Sequence, residues 1–100
     1  MRIHFVRTGG FAGIKLETRA DSDTLPPVEA RAIEQEVAQS NFFQLPSQIK
    51  SMAGGVDRFQ YEITVEDGPE VHTVAVGETE IPETLQPLVQ HLNQLARTRR

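Results

Sequence analysis

The strongest constraint on the fold comes from residues 58–66, where polar and apolar side chains alternate without interruption. One face of this stretch, drawn as an extended chain, carries Phe59, Tyr61, Ile63 and Val65. A period of two residues is the pattern of a half-buried strand. Asp67-Gly68 follows directly and is a strong signal for a two-residue hairpin turn. With these two residues as the turn, Ile63 lies opposite His72 on the core face.

A similar alternation flanks the glycine-rich run RTGGFAG, residues 7–13. A glycine-rich loop that binds phosphate opens a helix, so that backbone N–H groups face the anion. Here the chain continues as an alternating strand, and the Lys-Ser/Thr pair of a P-loop is absent. We therefore predict a hairpin with its turn at Gly9-Gly10, which sets Phe5 opposite Ile14.

Two helices are predicted from apolar stripes at helical spacing. The first begins at Pro27, where a missing N–H costs nothing, and its stripe is Ala30, Ile33 and Val37. The second has Thr84 as N-cap, and its stripe is Leu85, Leu88, Val89, Leu92, Leu95 and Ala96. The order ββαββα predicts an α+β domain spanning residues 1–100, with a four-stranded, mainly antiparallel sheet and two helices packed on one side.

Composition narrows the classes of function. The formal net charge is −4, which argues against nucleic acid as the main partner, and cysteine is absent. The absence of cysteine excludes disulfides and thiolate metal sites. No apolar run is long enough for a signal peptide or a membrane span. We expect a cytoplasmic monomer that binds neither membrane nor nucleic acid.

Catalytic and metal-binding motifs are not found. His4, His72 and His91 show no metal-ligand spacing, and no serine lies in a nucleophile-elbow context. We expect His4 and His91 on the surface, and His72 half-buried and hydrogen-bonded. The sequence therefore predicts a protein that is not an enzyme and that has no cofactor or metal of its own.

Two connections are longer than the fold requires, residues 20–25 and 45–57. Long loops in compact domains are often functional. The first contains Asp21 and Asp23, and the second contains apolar Ile49, Met52 and Val56. A structural interpretation also exists: the segments are mobile surface, with Asp21 or Asp23 forming an Asx turn before the helix.

An ordered set of short motifs carries a family resemblance. The motifs are residues 7–14, 42–46, 54–61, 64–68 and 72–74. Together they resemble the emfourin family, small bacterial protein inhibitors of protealysin-like proteases, which are zinc metalloproteases of the thermolysin type. The resemblance covers nearly the whole chain in the right order. One departure is Pro26-Pro27, which stands where a Ser or Asp cap is expected for the first helix.

The resemblance implies inhibition through two neighbouring flexible loops. One presents an aspartate carboxylate to the catalytic zinc, and the other fills substrate subsites with apolar side chains. A catalytic zinc keeps an open position that a carboxylate oxygen can occupy. The protease-binding candidates are Asp21, Asp23, Leu25, Ile49, Met52, Gly54, Gly55, Val56 and Asp57. As zinc ligand we favour Asp23, then Asp21, then Asp57.

Two other functions remain open at this point. The first is an adaptor module without a protease target, which would dock through the same loops or through a sheet edge. The second is nucleic-acid binding by Arg97, Arg99 and Arg100, although compensation of the helix C-terminal dipole explains these arginines more simply.

Overall fold

The computed structural model describes residues 1–9, 15–49 and 59–98. The strands are β1 (Arg2–Gly9), β2 (Leu16–Asp21), β3 (Gln48–Ile49), β4 (Phe59–Asp67) and β5 (Glu70–Gly77), and the helices are α1 (Pro27–Gln39) and α2 (Gln86–Thr98). Short 3-10 helices cover Phe42–Gln44 and Glu83–Leu85. The predicted α+β class is confirmed.

The described strands form one mixed sheet in the order β2-β1-β4-β5-β3. The β2–β1, β1–β4 and β4–β5 pairs are antiparallel, whereas β3 runs parallel to β5. The predicted four strands thus gain a short fifth, taken from the segment 45–57 that was expected to be loop. β3 is held by its ladder to β5 and by the backbone N–H of Ala75, which donates to the Ser47 carbonyl over 2.8 Å. A strand of two residues is too short to show the alternation of polar and apolar residues by which strands are predicted.

The core lies between one face of the sheet and the two helices. Each residue of both predicted helical stripes is buried, as are most core-facing residues of the four longer strands. Arg7, Phe59 and His72 lie on the same face and are half-buried. The largest fully buried side chains in the described part of the chain include Phe5, Phe42, Ile63, Leu88 and Leu92. The predicted arrangement, with helices on one side of the sheet, is confirmed.

The β4–β5 hairpin turns one residue later than predicted, at Gly68 rather than Asp67. Ile63 consequently lies opposite Val74, not His72. Gly68 has φ +61°, a conformation that suits the first central residue of a tight hairpin turn. The shift moves the register by two residues, which leaves every side chain on its predicted face.

The β1–β2 register also differs from the prediction. Phe5 lies opposite Thr18 rather than Ile14, which falls outside the described residues. The predicted turn at Gly9-Gly10 is wrong, because Gly9 belongs to β1 and pairs with Phe59 of β4. Pairing with β4 keeps β1 extended past the expected corner. The displacement is again an even number of residues, so the buried faces are unchanged.

The predicted start of α1 is confirmed, whereas the predicted N-cap of α2 is wrong. α1 begins at Pro27 and has no side-chain cap, as the proline pair indicated. Thr84 is not an N-cap, because it lies inside the 3-10 helix that precedes α2. The backbone N–H groups of Leu85 and Gln86 both donate to the Pro82 carbonyl, over 2.9 and 3.2 Å. No helix in the ranges described above is both long and apolar enough to span a membrane.

Candidate functional site

The two candidate loops are anchored at opposite ends of the sheet. Residues 21–25 adjoin the start of β1, where the Ser22 N–H donates to the Met1 carbonyl over 2.9 Å. Residues 50–58 connect β3 to β4, and Phe59 pairs with Gly9 at the other end of β1. Seven steps of about 3.4 Å separate the two ends of β1, or roughly 24 Å. The structure therefore does not bring together the anchors of the loops that were expected to be neighbours.

We call these regions the Asp23 end, residues 21–28, and the Phe59 end, formed by Gly9, Ile49, Phe59 and Glu78. At the Asp23 end, Asp21 organises the turn. Its Oδ1 accepts the Asp23 N–H over 2.9 Å, and its carbonyl accepts the N–H groups of Thr24 and Leu25 over 3.0 and 3.1 Å. This is the Asx turn that the structural interpretation of the sequence offered for Asp21 or Asp23, and Asp21 is the residue that forms it.

The carboxylates of Asp21 and Asp23 differ in whether they have partners within the chain. Asp21 Oδ2 also lies 3.7 Å from Nε of Arg2, so both of its carboxylate oxygens have partners. Asp23 is exposed, and its carboxylate makes no hydrogen bond or ion pair with any residue the structure describes. Of the two, Asp23 is the carboxylate that is available to an external ligand.

The apolar residues of the Asp23 end are not the ones expected. Leu25 is only 8% exposed and belongs to the core, so its side chain cannot enter a protease subsite without leaving the core. Val28, in the first turn of α1, is instead 83% exposed and follows the exposed Pro26 and Pro27. Sequence reasoning missed Val28, although its position off the helical stripe was a readable signal.

The candidates of the Phe59 end are only partly described. Ile49 is half-buried in β3, opposite Val76, and packs against the core. The remaining candidates lie outside the described residues; they are Met52, Gly54, Gly55, Val56 and Asp57.

The base of the Phe59 end is held by contacts between distant parts of the chain. Arg7 Nη1 donates to Asn93 Oδ1 over 2.9 Å, and its guanidinium carbon lies 4.3 Å from the ring centre of Phe59. The Phe59 N–H donates to Glu78 Oε1 over 3.0 Å. Burial raises the pKa of Tyr61, and the Glu78 carboxylate adds to the rise. None of these partners could be predicted from local sequence.

Two histidines stabilise the fold. His72 is half-buried with Nε2 at 2.7 Å from the Leu45 carbonyl oxygen, as predicted. His91, expected on the surface, is half-buried and contacts α1, at 3.0 Å from Glu36 and 3.4 Å from Glu29. Within residues 1–9, 15–49 and 59–98, no group of three or more acidic or histidine side chains is arranged as a metal site.

The face of the sheet away from the helices is open and charged. His4 lies on this face, as expected, and its Nε2 contacts Glu17 Oε2. This hydrogen bond is the main cause that lowers the pKa of Glu17, and the charge of Lys15 lowers it further. A cavity of about 340 Å³ lies where this face meets the Asp23 end, and its lining includes Thr24 and Thr64.

Comparison with known proteins gives one match. The family model described as Emfourin matches residues 5–93 of the 100. No curated protein and no solved structure matches the chain. The matched range includes both ends of the sheet and most of both helices.

Proposed function

The chain belongs to the Emfourin family, and from this premise we propose that it inhibits a zinc metalloprotease of the thermolysin (protealysin-like) type. The observation that carries the proposal is the family match, which runs from β1 into α2. In this proposal the chain acts in a bacterial cytoplasm, is not an enzyme and needs no cofactor. It blocks the active site of its target by direct contact.

Asp23 supplies the zinc ligand in this proposal. A catalytic zinc of this class has three protein ligands and an open position that holds water or substrate. A carboxylate oxygen of Asp23 takes that position and displaces the water that would attack the substrate. The support is that Asp23 is exposed and its carboxylate is unengaged by described residues.

The turn around Asp23 favours such a contact. Asp21 accepts three backbone N–H groups, from Asp23, Thr24 and Leu25, and the buried Leu25 side chain ties the turn to the core. A turn that is ordered before binding loses less conformational entropy when it enters the cleft. Asp21 therefore acts in this proposal as a positioning residue for Asp23.

Apolar contact at this end comes from Val28 and the two prolines before it. Pro26 and Pro27 are exposed, their backbone is stiff, and Val28 exposes 83% of its surface. An exposed valine next to an unpaired carboxylate suits a cleft that combines a metal with apolar subsites. In this proposal Val28 takes the role that the sequence had suggested for Leu25.

The Phe59 end provides the competing version of the same function. There Asp57 would be the zinc ligand, and apolar side chains from Ile49, Met52 and Val56 would enter subsites, with Gly54 and Gly55 allowing close approach. Because the anchors of the two ends lie roughly 24 Å apart, one protomer presents one end to the zinc. We assign that role to the Asp23 end.

Titration of the purified chain against a thermolysin-like protease tests the function. We expect inhibition that reaches completion near one equivalent and that competes with a small zinc-chelating active-site inhibitor. The absence of inhibition at micromolar excess of the chain would contradict the proposal. Inhibition that does not compete with the chelator would show that the active site is not the point of contact.

A further inference from the structure

Strand β2 forms an outer edge of the sheet. It pairs with β1 on one side only. Among the described strands, β1 is the one that pairs with β2, which therefore stands at the end of the strand order. At the opposite edge of the sheet stands the two-residue strand β3, which pairs with Ala75 and Val76 of β5. An unpaired edge is a template for another strand.

Charges of alternating sign line this edge on the open face of the sheet. In chain order they are Lys15, Glu17, Arg19 and Asp21, each two residues from the next. Lys15 Nζ lies 3.8 Å from Glu17 Oε1, and Arg2 reaches Asp21 from β1, which places these side chains on one face. The order is positive, negative, positive, negative.

We propose that this edge pairs with β2 of a second copy of the chain, antiparallel and centred on Thr18. In that register Lys15 lies opposite Asp21 of the second copy, and Glu17 lies opposite Arg19 of the second copy. The two-fold axis repeats both pairs, which gives four opposite-charge pairs on one face. The two five-stranded sheets then join into one continuous sheet.

The charges also disfavour the neighbouring registers of the two strands. If one strand slides by two residues, Glu17 lies opposite Glu17 of the second copy, or Arg19 opposite Arg19. Like charges directly opposite each other are unfavourable. A slip by an odd number would set buried positions such as Leu16 against the open face. The complementary register is therefore the one selected by both charge and burial.

A second copy fits this edge better than an unrelated strand. An antiparallel partner must carry the inverted charge order, and reversing this strand's own direction supplies that order. The contact is small, since six residues of β2 span about 20 Å. We therefore expect weak, salt-sensitive association, with a dissociation constant at or above about the micromolar range. The proposal differs from the monomer expected from the sequence, and the measurement below decides between them.

The pairing places the Asp23 end of one copy beside the Phe59 end of the other. Because the strands are antiparallel, Asp21 of one copy adjoins Lys15 of the second. Phe59 of that second copy is then three strand spacings away, about 14 Å. In a dimer, the Asp23 end of one copy and the Phe59 end of the second could thus face the same protease molecule. This consequence rests on the proposed function, whereas the pairing itself does not.

Sedimentation equilibrium of the full chain tests the pairing without any protease. Glu17→Arg and Arg19→Glu each create like-charge pairs across the axis, and each should weaken dimerisation by about tenfold or more. Mixing these two variants should restore association as a heterodimer, since every cross-strand pair is then of opposite charge. The double variant Glu17→Arg/Arg19→Glu should also dimerise.

Glu62→Arg is the matched control, because Glu62 is exposed on β4, away from the edge, and its reversal should leave dimerisation unchanged. Circular dichroism melts establish that each variant folds. A wild-type chain that stays monomeric up to about 1 mM, well above the expected range, would overturn the proposal. So would a dimer that Glu17→Arg does not weaken, or single variants whose mixture fails to associate.

Discussion

The Asp23 end and the Phe59 end of the sheet are stabilised by contacts of opposite kinds. At the Asp23 end, Asp21 accepts hydrogen bonds from the N–H groups of the next few residues; these bonds close the turn and leave the Asp23 carboxylate outside it. At the Phe59 end, contacts span most of the chain, such as Arg7 with Asn93. A site made by a local turn can be moved or removed with little cost to the fold, whereas one made by long-range contacts is coupled to stability.

The largest expected effect is a loss of inhibition that depends on which end of the sheet carries the substitution. Asp23→Ala should raise the inhibition constant by about 1,000-fold, since truncating one partner of a desolvated charged contact costs several kcal/mol. Its melting temperature should stay at the wild-type value, because no described residue contacts this carboxylate. Asp57→Ala is the matched variant at the other end and should keep wild-type inhibition. The opposite result would assign the zinc to the Phe59 end.

The next effect distinguishes a core residue of the Asp23 end, Leu25, from a residue proposed to contact the protease, Val28. Leu25→Ala should destabilise the fold by about 3 kcal/mol, because it removes a buried side chain and leaves a cavity. Val28→Ala, at 83% exposure, should leave stability unchanged and weaken inhibition only. Urea unfolding of both variants measures this difference. Equal stabilities of the two variants would mean that Leu25 is not held in the core.

A smaller effect concerns the base of the Phe59 end. Arg7→Ala should cost about 1–2 kcal/mol, because it removes the hydrogen bond to Asn93 and the contact with the Phe59 ring. Arg2→Ala should cost less than about 0.5 kcal/mol, since the pairs of Arg2 with Asp21 and Glu66 are exposed. Chemical denaturation gives both values. A larger loss for Arg2 would reverse the proposed difference between the ends.

The smallest effect is a dependence of stability on pH. The pKa of Glu17 is lowered in the folded chain, so its contribution is present above its ordinary value and is lost as the pH falls through the folded value. Glu17→Gln should therefore lower the melting temperature at pH 7, and this difference should shrink as the pH falls below the ordinary pKa of a glutamate. In a His4→Ala background the pH 7 difference should shrink, because the hydrogen bond to His4 is the main cause. A difference that persists at low pH would have another origin.

The hydrophobic pattern predicted faces but not registers. Ile33, Val37 and Leu92 are buried as their helical spacing indicated. Alternation determines which side of a strand is apolar, yet any even shift preserves it. The registers of β1 with β2 and of β4 with β5 therefore both differ from the predicted ones. β3 was missed because its two residues depend on pairing with β5 rather than on their own sequence.

Only those features of the candidate site that depend on neighbouring residues in the chain could be predicted from the sequence. The Asx turn at Asp21 follows from short-range hydrogen-bonding rules, and the structure contains it. The separation of the two ends depends on strand order, which distant pairings decide. Burial of Leu25 depends in the same way on the core that α1 and the sheet form around it. Sequence alone could therefore suggest both loops but not that they are anchored apart.

Ligation of the target's zinc by Asp23 is the central claim, and the absorption spectrum of a cobalt(II)-substituted target protease tests it most directly. The visible bands of cobalt(II) respond to the atoms in its coordination shell, and this ion can stand in for zinc. Adding the wild-type chain should change these bands, and adding Asp23→Ala at saturating concentration should not. The same spectral change with Asp23→Ala would contradict the account.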